Sequence, residues 1–432
     1  MRKTFHVFCL ILASTAIFSD TLNDNQTGKE NVQKEERLPL KELRIFTQVF
    51  EQVRRGHVDE VKDTQLLENA VIGLLLELDP HSAYMGIEEY KALQESASGQ
   101  YGGLGIEISV DQGLLKIIAP IDDSPAKKVG IQSGDIIVEI NNQPVRGLAL
   151  PKAIDKLRGN KGSSIDLRIL REGEDSPLNF TVVRDTIYAS AVRSRVLEKG
   201  IGYVRIAQFQ EDSDKDFIAA LNQLKDESLA NNGNDLQGLV IDLRNNPGGL
   251  VPPAVKISSS ILDKGLIVYT EGRLPSANQS FVAQPGDLLK GISVVVLING
   301  GSASASEIVA GAFQHHKRAL ILGTQSFGKG SVQTVMPLGD GRAIKLTTAR
   351  YFTPSGRSIQ AEGIVPDIII PRAEVRLLES NTLVREENLE GHLENIGTGP
   401  PAPRSIGYEL DGDNQLREAV NILKGIKMLE QN

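Results

Sequence analysis

The chain has 432 residues, 40% of them hydrophobic and 24% charged, which is more than one core can hold and predicts two or three domains. Its 47 basic and 55 acidic residues give a formal charge of −8, an acidic balance that argues against nucleic acid as a partner. Mean hydropathy is −0.15, which excludes a multi-span membrane protein.

Residues 1–19 read as a signal peptide or anchor: Arg2 and Lys3 precede an apolar run from Phe5 to Phe18. That run falls short of the roughly 20 residues a spanning helix needs, which favours a cleaved signal. The single cysteine, Cys9, lies inside it, so cleavage leaves no cysteine for a disulfide, nucleophile or metal site. A cysteine-free exported chain suits the bacterial periplasm, secretion or tethering to the inner membrane.

Residues 20–37 are polar and predict a linker. Over 38–98, apolar residues such as Leu43, Phe46, Val49, Phe50 and Val53, then Leu66, Val71 and Leu75, recur at helical spacing. They predict two amphipathic helices ended by Asp79-Pro80, then a short helix from Gly86 to Ala97. Exposed apolar stripes there would suit a homodimer. Residues 99–185 alternate with period two, as at Leu114–Ala119 and Ile136–Ile140, with turns at Gly134-Asp135 and Lys161-Gly162 and one helix over Ala149–Arg158, predicting a small β barrel. From 186 to 372, the runs Ile201–Ile206, Leu239–Leu243, Val294–Ile298 and Leu320–Leu322 alternate with helices and predict a layered α/β domain, with a further strand at Ile364–Ile370. The region 373–432 holds a Gly/Pro linker at 396–404 and an amphipathic helix from Asn414 to Leu429.

Two segments carry chemistry. Gly300-Gly301-Ser302-Ala303-Ser304-Ala305-Ser306-Glu307 follows a strand and opens a helix, where free N–H groups can hold an oxyanion and small neighbours admit a substrate backbone. Three serines compete for the nucleophile, and Ser304-x-x-Glu307 is also a helix-capping pattern. Phe327-Gly328-Lys329-Gly330-Ser331-Val332-Gln333 sets a lysine between glycines, with Phe327, Val332 and Val335 near enough to desolvate it. Burial favours the neutral amine, which can accept a serine proton. The P-loop and metal-binding spacings are missing, and no cofactor is implied. His315 lies about 16 Å along a helix from Ser304, beyond proton-transfer reach, and nothing local supports His57 or His81.

These segments, in this order, resemble the C-terminal processing peptidases, or tail-specific proteases. The resemblance also includes Leu78-Asp79-Pro80-His81-Ser82-Ala83-Tyr84, Ser124-Pro125-Ala126 and Asp242-Leu243-Arg244-Asn245-Asn246-Pro247-Gly248-Gly249. Leu389-Glu390-Gly391-His392-Leu393 is similar to the branch found in Gram-negative bacteria. The resemblance implies an α/β multidomain protein: a crotonase-like protease core, an inserted PDZ domain and helical N- and C-terminal segments. It implies a Ser304–Lys329 dyad, Gln333 orienting the lysine, and oxyanion donors at Ala305 and at Gly248 or Gly249. It places capture of a substrate's free C-terminus at Leu104-Gly105-Ile106, and a relay from PDZ to core at Arg158, for which a surface ion pair is the alternative. The function implied is a serine endopeptidase of the cell envelope acting on proteins or peptides with free C-termini; an envelope adaptor is left open. His315 stands where relatives carry an acid. A ligand-binding protein of the same fold, a non-catalytic PDZ scaffold and a histidine-based esterase are the competing readings.

Overall fold

The computed structural model describes residues 38–374 apart from 112, 122, 148, 199, 233 and 234, together with 390–393 and 412–430. The predicted signal peptide, the linkers at 20–37 and 396–404, and Leu389 lie outside the described residues. The chain divides into two compact units, one ending at Asn69 and the other beginning at Ala70.

The described part of the first unit holds α1 (Leu40–Gly56) and the start of α2 (Asp63–Leu76). Glu51 pairs with Arg54 at 2.7 Å along α1, the i,i+3 spacing that supports an exposed helix. No residue of α1 is buried, and Phe46 and Val49 are exposed.

In the second unit, β1 (Ala83–Met85) and α3 (Ile87–Ser98) lead to β2 (Gln100–Gly103). The next strands are β3 (Ile106–Asp111) and β4 (Leu114–Pro120), then the one-turn α4 (Pro125–Lys128), β5 (Ile136–Ile140) and β6 (Gln143–Pro144). After α5 (Leu150–Leu157) come β7 (Ser164–Leu170), β8 (Leu178–Val183) and β9 (Asp185–Tyr188). Strands β3-β4-β5-β7-β8 form a sheet, with β6 on β5. Its inward residues alternate along β7, burying Ile165, Leu167 and Ile169 against Ile117, Ile137 and Val182. The strands that enter and leave this domain, β2 and β9, form a two-stranded antiparallel sheet.

The remaining strands build two sheets. β10 (Val192–Glu198), β11 (Ile201–Ile206), β12 (Gly238–Asp242), β15 (Ser293–Ile298), β16 (Leu320–Gly323) and β19 (Ile368–Ile369) form one in that order, parallel except between β10 and β11. Helices α6 (Ser213–Asn232), α7 (Val251–Ser260) and α8 (Ala305–His315) supply the connections. β12 and β15 are buried on both faces, which explains their continuous apolar runs. α9 (Asn414–Glu430) packs Leu416, Val420 and Leu423 with Val240, Val295 and Leu322 of this sheet. The predicted strand at Ile364–Ile370 is reduced to two residues, because Pro366 and Pro371 cannot donate to a ladder. The second sheet is antiparallel: β13 (Leu266–Gly272), β14 (Gln279–Val282), β17 (Ser331–Leu338) and β18 (Arg342–Phe352), with β1 joining β18.

Candidate active site

The serine turn joins β15 to α8, and its geometry separates the three candidates. Ser302 is fully buried and donates to Leu243 O at 2.8 Å. Ser306, equally buried, donates to Asn246 O at 3.0 Å. Ser304 makes no side-chain capping bond. Burial pushes the pKa of the Tyr351 phenol up, and the Ser304 hydroxyl partly offsets the rise. Ser304 also sits at φ 57°, ψ −113°, a conformation L-residues rarely adopt and one that costs about 1–3 kcal/mol. Two serines hold the turn together; the third is strained and carries a hydroxyl not committed to the backbone.

Glu307, only 1% exposed, ties this turn to the lysine loop. Its Oε2 accepts the N–H of Ser304 at 2.7 Å and of Lys329 at 2.9 Å. Its Oε1 accepts the Gly328 N–H at 2.7 Å and the Ser326 hydroxyl at 2.6 Å. One carboxylate therefore fixes the backbones of both Ser304 and Lys329. Sequence reasoning read Glu307 as half of a capping box and missed this second set of partners.

Lys329 is partly buried in the loop two residues before β17 (Ser331–Leu338). Burial lowers its pKa first and the neighbouring Lys345 lowers it further, while Asp79 and Glu307 pull the other way. Phe327, expected to shield the lysine, is instead 62% exposed. Its backbone N–H is held by Ser302 O at 3.0 Å in a loop that leaves the ring outside. Among the described residues no hydrogen bond joins Lys329 to the Ser304 hydroxyl; hydrogen bonds between catalytic groups are often long before substrate binds. Gln333 likewise does not hold Lys329 here; its Nε2 donates to Ser331 Oγ at 2.9 Å and to Thr347 Oγ1 at 3.3 Å.

Next to Ser304 lies the loop after β12. A Cβ on Gly248 would come within 2.9 Å of Ser304 Cβ and 3.1 Å of Ala305 N, so only glycine permits this approach. Ala305 is the first residue of α8, and its N–H has no intrahelical acceptor. The Gly248 N–H is already spent on Asn246 Oδ1 at 2.8 Å. Gly249, at φ 136°, bridges to Phe209 through its neighbours: Gly248 O accepts from Phe209 N, and Leu250 N donates to Phe209 O. The Gly249 N–H faces away from that bridge. Of the two glycines, Gly249 is the one with a donor to offer.

Beyond the glycines, Val251, Phe281, Val332, Met336, Ala349 and Tyr351 line an apolar cavity of about 470 Å³. A separate cavity of about 220 Å³ lies in the β3–α5 groove, lined by Leu104, Gly105, Ile106, Ile154 and Leu157. Gly105 holds φ 73°, and a Cβ there would sit 2.3 Å from Ser124 Cβ. Arg158 edges this groove, stacked 4.7 Å over Tyr101 and 3.5 Å from Glu95. His315 is exposed at the end of α8. Among the described residues no three His, Cys, Asp or Glu side chains gather as metal ligands would.

The sequence matches peptidase family S41 over residues 200–370, a PDZ domain over 116–171 and the activating protease CtpB N-terminal domain over 7–89. It is 44% identical over 389 residues to a carboxy-terminal-processing protease of Bartonella bacilliformis, covering 89% of each chain. The chain belongs to peptidase family S41. It is 30% identical over 378 residues to carboxy-terminal processing protease CtpA of Bacillus subtilis, covering 85% of this chain and 78% of that one. Among solved structures it is similar to a photosystem II D1 C-terminal processing protease: 28% identity, TM-score 0.43, 76% of this chain and 93% of that one covered. The S41 match spans β11 to Ile370, including the Ser304 turn, Glu307 and Lys329, and the PDZ match falls on β4 to β7. This S41 member is therefore a serine-type peptidase with a PDZ domain.

Proposed function

We propose that the chain is an endopeptidase in which Ser304 is the nucleophile and Lys329 the general base, and that its PDZ groove reads the free C-terminus of protein substrates. The observation that carries this reading is the Glu307 carboxylate, which holds the backbones of Ser304 and Lys329 at 2.7 and 2.9 Å. Neutral Lys329 takes the proton as Ser304 Oγ attacks the scissile carbonyl carbon. Ala305 and Gly249 N–H receive the oxyanion. As the intermediate collapses, the Lys329 ammonium protonates the leaving amine, and water then hydrolyses the acyl-enzyme by the same route. The cavity beside Tyr351 takes an apolar side chain next to the scissile bond, since its named walls are largely apolar.

In the groove at Leu104–Ile106 the substrate tail adds as a strand and leaves its carboxylate at the glycine loop. The leader's composition supports action in the cell envelope, and the exposed face of α1 supports pairing of two copies. The test is digestion of an unfolded protein with an apolar free C-terminus by wild type, Ser304→Ala and Lys329→Ala. Cleavage by wild type alone is expected; cleavage by either variant at the wild-type rate would overturn the dyad. An amidated copy of the substrate should be cut more slowly, and equal rates would refute tail reading.

A further inference from the structure

The turn after α2 is built around a carboxylate that the mechanism above does not use. Asp79 Oδ1 accepts the N–H of His81 at 2.8 Å and of Ser82 at 2.9 Å, and Oδ2 accepts the Ser82 hydroxyl at 2.6 Å. Ser82 Oγ in turn accepts the Thr347 N–H at 3.1 Å, and Ala83 pairs with Lys345, so the turn is stitched to β18. Asp79 Oδ1 also accepts the Thr347 hydroxyl at 3.0 Å. Across the ladder Thr347 faces Gln333 of β17, where a bulge falls between Val332 and Gln333. The chain of bonds ends at Ser331, two residues beyond Lys329.

The direction of these bonds follows from Asp79. An ionised carboxylate only accepts, so Thr347 must donate its one hydroxyl proton to Asp79. Thr347 Oγ1 can then only accept, which makes Gln333 present Nε2 to it. Both Nε2 hydrogens are engaged, one on Thr347 and one on Ser331, leaving Oε1 as the end of the amide free to receive an ammonium. We propose that Asp79 is a positioning residue for Lys329: through Thr347 its carboxylate fixes which way the Gln333 amide faces, so that Oε1 is the atom offered to the lysine. The inference rests on the Ser304–Lys329 reading.

Asp79 is suited to the task because it stays ionised. Burial pushes its carboxyl up, but the bonds from Ser82, His81 and Thr347 outweigh this and bring its pKa to about 2. Its charge also reaches Lys329, alongside Glu307 from α8 and Lys345 from β18. His81, in the same turn, is held below its ordinary pKa by burial first and then by Lys329 and Lys345, while Asp79 pulls the other way.

The experiment measures kcat, KM and the ascending limb of the pH–rate profile on an unfolded-protein substrate for wild type, Asp79→Asn, Thr347→Val and Thr347→Ser. Asp79→Asn keeps acceptors for the turn but removes the charge and can reverse the chain; kcat should fall by about 10- to 100-fold with KM little changed. Its limb should move to lower pH, because a negative charge that favoured the ammonium is gone. Thr347→Val should lose kcat, and Thr347→Ser should restore it. If Asp79→Asn does not fold by thermal melting, the Thr347 pair decides. A Ser304-dependent enzyme whose kcat and limb are unmoved by Asp79→Asn, or whose Thr347→Val variant is fully active, overturns the inference. Retained activity in Ser304→Ala would instead overturn the dyad.

Discussion

Replacing Glu307 by glutamine changes one atom and should separate the clamp from mere packing. The carboxylate meets four donors, three of them backbone N–H groups that cannot reverse. A glutamine can keep its oxygen toward Ser304 and Lys329 and turn its NH2 toward Gly328 and Ser326. The Ser326 hydroxyl can then accept, but the Gly328 N–H is left facing another donor. One unmatched buried N–H costs about 1–3 kcal/mol. Glu307→Ala leaves three such groups unmatched, so its cost should reach about 3 kcal/mol or more. Because the Lys329 loop is displaced in both variants, kcat should fall by roughly 100-fold even where the protein folds. Chemical denaturation gives the first quantity and steady-state cleavage the second. A Glu307→Gln enzyme with wild-type stability and kcat would refute the clamp.

Ser302→Ala should lower stability by about 1–3 kcal/mol while leaving measurable activity, since it strips the Leu243 carbonyl and the Asn299 N–H of their partner but keeps Ser304; denaturation midpoints and turnover check it. Ser304→Gly should abolish cleavage yet raise the denaturation midpoint, because glycine relieves the positive φ. Lys345→Gln should move the ascending limb of the pH–rate profile to higher pH. Removing a like charge raises the pKa of Lys329, and the proposed mechanism requires its neutral form. Gly105→Ala should weaken binding of C-terminal peptides to the PDZ groove, read by calorimetry, because its Cβ has no room beside Ser124.

Much of this architecture was legible because burial writes itself into periodicity. β12 and β15 are buried on both faces and read as apolar runs, and β7 alternates residue by residue. The antiparallel sheet of β13, β14, β17 and β18 was not read. Strands such as Ser331–Leu338 are largely exposed or half-exposed and give no clean period. The serine turn and the lysine loop were visible as motifs, but what joins them was not. Glu307 looks like a local cap, and its partners at Gly328 and Lys329 lie 21 and 22 residues away. A capping glutamate followed by a Gly-Lys-Gly loop is the signal that was available. Asn246 could also have been read, because an Asn two residues before a glycine predicts a side chain that captures its N–H. Asp79 reads in the sequence as a helix stop before proline and as part of the Leu78–Tyr84 motif, but its tie to Thr347 depends on a strand pairing that sequence does not show.

In the proposed mechanism a lysine, not a histidine, takes the proton from Ser304. The most direct measurement is intact-mass analysis of an unfolded substrate incubated with wild type, Ser304→Ala, Lys329→Ala, His81→Ala and His315→Ala, each shown to be folded. Loss of all cleavage products with Ser304→Ala and Lys329→Ala, and their persistence with both histidine variants, is the predicted result. Products from Lys329→Ala at the wild-type rate, with loss in a folded histidine variant, would contradict it.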